Sequence, residues 1–121
     1  MKKVINSSKA PGAIGPYSQA IEANGLIFVS WQLPINPETG EMQEGAEAQA
    51  KQSLENMKNI LAEAGLTMDN IVKTTVYLSD MAYFADMNKV YASYFSGDFP
   101  ARSAFAVKEL PKQALVEIEC I

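Results

Sequence analysis

The chain has 121 residues, 48% of them apolar and 20% charged, which fits one globular domain (1–121) with a modest core and excludes wholesale disorder. A net charge of -4 with only ten scattered basic residues argues against a nucleic-acid partner, because phosphate binding draws on clustered Lys and Arg. With no histidine and one cysteine, Cys120, the chain has no internal disulfide, no Ser-His or Cys-His nucleophile pair, and none of the commonest metal ligand.

No apolar run approaches membrane-spanning length, so no membrane partner is expected. The start, Met1-Lys2-Lys3-Val4-Ile5, lacks the apolar core of a secretory signal, and a cytoplasmic protein is the expectation. Val4-Ile5 forms a short apolar beginning before the turn-rich loop Ser7 to Gly12. Gly15 and Pro16 then punctuate the chain ahead of Tyr17, whose phenol is either set at a fixed place or packed with its hydroxyl satisfied. Ser18 to Ile21 reads as a strand, Glu22 to Gly25 as a hairpin turn and Leu26 to Val29 as the returning strand, which ends in Ser30-Trp31-Gln32. Pro34, Pro37 and Gly40 mark a long surface loop.

From about Ala46 the period changes. Ala50, Leu54, Met57, Leu61 and Ala64 recur at helical spacing, with Gly65 at the stop position. Ile71 to Ser79 is the strongest strand, with Val72, Thr74, Val76 and Leu78 on one face and Lys73, Thr75 and Tyr77 on the other. Asp80 is placed to cap a second helix whose Phe84, Met87, Tyr91 and Tyr94 form a core stripe.

Pro100 then stiffens the approach to Arg102, ahead of a strand over Ser103 to Val107. A guanidinium held there grips a carboxylate bidentately or serves as one half of a structural salt bridge. The loop Lys108 to Gln113 leads to a last strand, Ala114 to Ile121, with Val116, Ile118 and Cys120 facing one way and Leu115, Glu117, Glu119 and Ile121 the other. The order β-β-β-α-β-α-β-β predicts an α+β fold, two helices packed on one face of a single mixed sheet. The uncovered face would carry Leu115, Tyr77 and Phe105, which predicts self-association.

Four separated motifs, Gly15-Pro16-Tyr17-Ser18, Val29-Ser30-x-Gln32, Pro100-Ala101-Arg102-Ser103 and Val116-Glu117-Ile118-Glu119, together with Thr75 to Asp80 and Asn88, resemble the RidA family, also called the YjgF family. The resemblance implies a chorismate-mutase-like fold and a homotrimer with sites in the clefts between subunits. It also implies hydrolysis of enamine/imine intermediates such as 2-aminoacrylate and 2-iminopropanoate to 2-oxo acids and ammonia. No cofactor is implied, because an imine is already electrophilic.

Carried onto this chain, the resemblance makes Arg102 the carboxylate-gripping cation and Glu117 the water-positioning acid, with Tyr17, Ser30 and Asn88 lining the pocket. Only the resemblance prefers Glu117 to Glu119, since both share a strand face. Two positions depart from the family pattern: Ala104 stands where many members have cysteine, and Trp31 where glycine is common. Trp31 is expected at the pocket rim, where its indole narrows the cleft. A small-metabolite-binding or regulatory trimer without turnover is the alternative, and an RNA-cleaving protein is disfavoured by the acidic balance and the missing histidine.

Overall fold

The computed structural model describes residues 1–121. Its elements are β1 (Lys3–Ile5), β2 (Ala20–Ala23), β3 (Leu26–Gln32), α1 (Ala46–Glu63), β4 (Lys73–Leu78), α2 (Phe84–Ala92), β5 (Ala101–Ala106) and β6 (Val116–Cys120). They follow the expected order and form one six-stranded sheet, β1-β2-β3-β6-β4-β5. Only the β4–β5 pair is parallel, so the sheet is mixed, and α2 lies in the crossover that joins those two strands. No helix is long and apolar enough to cross a membrane.

Period-2 alternation decides the two faces. Thr74, Val76 and Leu78 of β4 pair with Cys120, Ile118 and Val116 of β6, and all six are buried beneath α1 and α2. Leu54, Met57 and Ile60 of α1 are fully buried against them, and truncating Leu54 to Ala costs about 2–5 kcal/mol by the general rule for such cores. The helix closes where the amide of Leu66 donates to the Leu61 carbonyl (3.0 Å) and that of Gly65 to the Ala62 carbonyl (3.0 Å).

On the opposite face, Tyr77 stands between Trp31 (centroids 5.9 Å apart) and Phe105 (5.5 Å), both edge-on. Trp31, Phe105 and Phe28 remain 43–46% exposed. This is the half-dressed sheet expected from the sequence with two changes: Phe28 joins it, and Leu115, which precedes β6, packs against the core instead.

Several boundaries differ from expectation. Strand β2 starts at Ala20, because the backbone around Ser18 and Gln19 binds the β3 bulge instead, and the turn shortens to Asn24-Gly25 between the paired Ala23 and Leu26. Asn24 (φ 53°) and Gly25 (φ 76°) are both left-handed, as the tightest hairpin loop requires. Val72 falls outside β4 and is 59% exposed, because its amide and that of Lys73 both donate to the Ile121 carbonyl, which breaks the alternation there. Strand β5 begins at Ala101, so Arg102 lies within it. In the stripe after Asp80, Met87 and Tyr91 are buried, Phe84 and Tyr94 only partly, and Phe95 completes the packing. Asp80 caps a short 3₁₀ turn, Met81–Tyr83, that runs into α2, its Oδ1 accepting from the Ala82 amide at 2.8 Å.

Candidate functional site

The expected site residues fall into two separate groups. The first borders a cleft of about 350 Å³ whose lining includes Tyr17, Gln19, Trp31, Gln32 and Glu117. Tyr17 reaches it because a three-residue turn around Pro16 closes with the Tyr17 amide donating to the Gly15 carbonyl (2.9 Å), which leaves the phenol 48% exposed. Gly15 has φ 126°, a conformation that side chains rarely adopt. Buried Gln19 clamps the loop ahead of this turn. Its Oε1 accepts from the Ser7 amide at 2.7 Å, and its Nε2 donates to the carbonyls of Pro11 (2.8 Å) and Ser7 (3.2 Å).

Strand β3 is bulged where it meets β6: Val29 pairs with Cys120 and Gln32 with Ile118, so Ser30 and Trp31 share the space opposite Glu119. The bulge turns Trp31 onto the cleft wall. Ser30 instead donates its hydroxyl to the Ser18 carbonyl (2.7 Å) and borders a second hollow of about 400 Å³, which has Glu119 and Tyr17 in its lining.

Glu117 is the chemically distinctive group of the cleft. Only 2% exposed, its carboxyl has one oxygen, Oε1, without any hydrogen-bond partner. Burial, and secondarily the charge of Glu119, push its pKa up to about 8, so at neutral pH it carries a proton it can donate. Glu119 is engaged elsewhere: the Tyr77 hydroxyl donates to its Oε1, and burial together with that bond raises the phenol to about 12. The two acids share a face, but a difference in partners separates them.

Arg102 and Asn88 form the second group. Arg102 is in register with Thr74 of β4, whose side chain points toward the helices, whereas Glu117 is in register with Tyr77 on the uncovered face. The two therefore lie on opposite faces, with β4 between their strands. Nη1 of Arg102 donates to Asn88 Oδ1 at 2.6 Å, and the guanidinium lies over the rings of Tyr91 (4.8 Å) and Phe84 (5.4 Å). Tyr91 is fixed in turn by a buried 2.6 Å bond between its hydroxyl and that of Thr74.

The aromatic stripe of α2 is thus more than core, since two of its members form the bed of the guanidinium. No carboxylate pairs with Arg102, for the single ion pair in the molecule joins Lys89 and Glu47 at 3.4 Å. The salt-bridge reading of Arg102 is not realised in the protomer, and most of its donors remain unspent.

Sequence and structure comparisons agree with this architecture. A family model described as Endoribonuclease L-PSP matches residues 7–121, and the chain belongs to that family, the RidA or YjgF family. A protein of Mus musculus named 2-iminobutanoate/2-iminopropanoate deaminase is 46% identical over 122 residues, covering 100% of this chain and 90% of that protein. The Rid family protein YyfA of Yersinia pestis superposes with a TM-score of 0.96 at 50% identity, over 99% of this chain and 97% of that one. TdcF of E. coli, solved with bound serine, superposes with a TM-score of 0.94 at 41% identity, over 98% and 96%.

Proposed function

We propose that this protein hydrolyses small enamine/imine acids to 2-oxo acids and ammonia, in a homotrimer whose sites combine Glu117 of one protomer with Arg102 of the next. The observation that carries this reading is Glu117: a buried carboxyl with an unbonded oxygen, at a cleft wide enough for a small acid. The placement of Arg102 on the other face supports a shared site, because a substrate touching both groups has to lie where two copies meet. The exposed Phe28, Trp31 and Phe105 supply apolar surface for that meeting. The deaminase name of the mouse relative and the serine bound to TdcF point to the same class of small amino-acid-derived ligand.

In this mechanism the planar fork of Arg102, steadied by Asn88 and the two rings, holds the substrate carboxylate. Glu117 donates its proton to the imine nitrogen, and the electron-poor carbon is attacked by water. The carboxylate so formed takes the proton the water loses, and a carbinolamine results. Glu117 then returns the proton to the nitrogen, the C–N bond breaks to release ammonia, and the Glu117 carboxylate takes the hydroxyl proton as the C=O of the 2-oxo acid forms, which restores its protonated state. Tyr17 and Trp31 wall the cleft, and Ser30 secures the bulge that carries Trp31.

A second reading, a 2-oxo acid-binding trimer without turnover, is favoured by one observation, the Trp31 indole on the cleft wall. Ribonuclease chemistry has less support: Lys112 is the only cationic side chain in the cleft lining. The separating experiment couples a pyridoxal-phosphate-dependent serine or threonine dehydratase to the purified protein and follows ammonia and 2-oxo acid release. Acceleration over the uncatalysed rate is expected; 2-oxo acid binding without acceleration would select the second reading.

A further inference from the structure

The core-facing side of α1 carries a polar stripe. Gln49, Ser53 and Asn56 recur at i, i+4 and i+7 and are 5%, 0% and 0% exposed. Burying such groups in a helix otherwise packed with Ala50, Leu54, Met57 and Ile60 is unfavourable unless each is hydrogen-bonded. Each bonds main-chain groups at the end of β3, in the irregular segment that follows it, or on the approach to β6.

Ser53 Oγ donates to the Gln32 carbonyl at 2.9 Å. Asn56 Nδ2 donates to the carbonyls of Leu33 (3.1 Å) and Ile35 (3.0 Å), while its Oδ1 accepts from Gln52 at 2.8 Å. Gln49 bridges two segments, donating through Nε2 to the Gln43 carbonyl (3.0 Å) and accepting through Oε1 from the Leu115 amide (2.7 Å). Gln32, Leu33 and Ile35 line the Glu117 cleft, and Leu115 lies two residues before Glu117 on the same chain.

We propose that Gln49, Ser53 and Asn56 are positioning residues that set the wall of the Glu117 cleft and its distance from the carboxyl. The segment after β3 has little regular structure of its own: the isolated Ile35–Met42 bridge, a three-residue turn in which the Ile35 amide donates to the Leu33 carbonyl (2.8 Å), and a short turn over 36–40. The Leu33 and Ile35 carbonyls are held against the core by Asn56 of α1, a helix that contributes no side chain to the cleft lining. An apolar stripe would fill the same space but leave Gln32, Leu33 and Ile35 free to shift by an ångström, and shifts of that size at a reacting centre are costly to rate.

The catalytic part of this proposal rests on the reading of Glu117 above, and its test separates the two. Gln49→Met keeps side-chain length and volume while removing both hydrogen bonds, and Ser53→Ala removes a single hydroxyl. Ile60→Val, a core truncation on the same helix that removes no hydrogen bond, serves as control. On the full chain, three quantities are read: assembled mass, acrylamide quenching of Trp31, the only tryptophan, and kcat and KM on 2-iminobutanoate.

Both stripe variants are expected to keep the wild-type mass, to raise the Trp31 quenching constant, and to lower kcat by about 10–10²-fold with a much smaller change in KM. Ile60→Val should leave all three unchanged. Stripe variants that quench and turn over like the control overturn the proposal. If wild type itself does not turn over the imine, the deaminase reading fails, and the quenching comparison alone decides whether the stripe sets the wall.

Discussion

Arg102 and Glu117 occupy opposite faces of the sheet, Arg102 in register with Thr74 beneath α2 and Glu117 in register with Tyr77 on the uncovered side. On the mechanism proposed above, a single protomer cannot close both around one small substrate, and assembly is a condition of activity. Light scattering should return a trimer mass at micromolar concentration, and replacing the exposed Phe105 by Glu should lower that mass and the activity together. A stable, active monomer would refute this.

Arg102→Ala should lower kcat/KM by at least about 10²-fold, because a charged hydrogen bond is worth roughly 1.5–3 kcal/mol and a bidentate grip makes two. Thermal stability should fall by only about 1–2 kcal/mol, since no ion pair is broken and what is lost is the Asn88 hydrogen bond and the contacts with Tyr91 and Phe84. Arg102→Lys should rescue poorly, as an ammonium can neither fork nor lie flat over Tyr91 and Phe84. Wild-type turnover in the Ala variant would make Arg102 structural.

Glu117→Gln should reduce turnover by about 10²–10⁴-fold with 2-oxo acid binding largely kept. In wild type, kcat/KM should fall above about pH 8, as the proton Glu117 donates is lost. Glu119→Gln removes the neighbouring charge and should move that fall to lower pH, with a smaller loss of rate. An equal loss in Glu119→Gln would transfer the role.

Stability should depend on pH with the opposite sign to that of a salt-bridged acid. The folded state holds the Glu117 proton up to about pH 8, while an unfolded chain releases it near the ordinary value of 4.5. The folded state therefore binds more protons between these values, and stability from this group declines as pH rises through that window, by an amount on the order of a few kcal/mol. In Glu117→Gln the decline should disappear, leaving the variant more stable than wild type at pH 8 in urea melts. A variant with the same pH slope as wild type would show that another group is responsible.

The outline of the fold was legible in the sequence wherever one period ran unbroken, as in Ala50 to Ala64 of α1, Thr74 to Leu78 and Val116 to Cys120. The joint placement of the site residues was not. Strand pairing decides whether Arg102 and Glu117 share a face, and alternation within each strand leaves that register open. Phe84 and Tyr91 read as core because nothing local shows that a strand distant in sequence lays a guanidinium across them. The Gln49, Ser53 and Asn56 stripe carried one faint signal, polar residues at helical spacing beside the apolar ones, and Gln19, in a loop, carried none; their main-chain partners are revealed by no sequence pattern. The β3 bulge, which turns Trp31 onto the cleft wall, depends on pairing with β6 and was equally hidden.

Trp31→Gly should admit branched imines that wild type turns over slowly, because the indole walls the cleft beside Glu117. Loss of its edge-on packing against Tyr77 should cost about 0.5–1.5 kcal/mol beyond the lost burial. Unchanged rates on both small and branched imines would show that the indole does not limit substrate size.

The most direct test of a shared site is complementation between inactive subunits. Arg102→Ala and Glu117→Gln proteins are unfolded together, refolded at equal concentration, and checked by native mass spectrometry for mixed trimers. If each site takes Arg102 from one protomer and Glu117 from the next, random mixing leaves about a quarter of the sites with both residues, and about a quarter of wild-type activity should return. Mixed trimers with no more activity than the two parents would contradict the account.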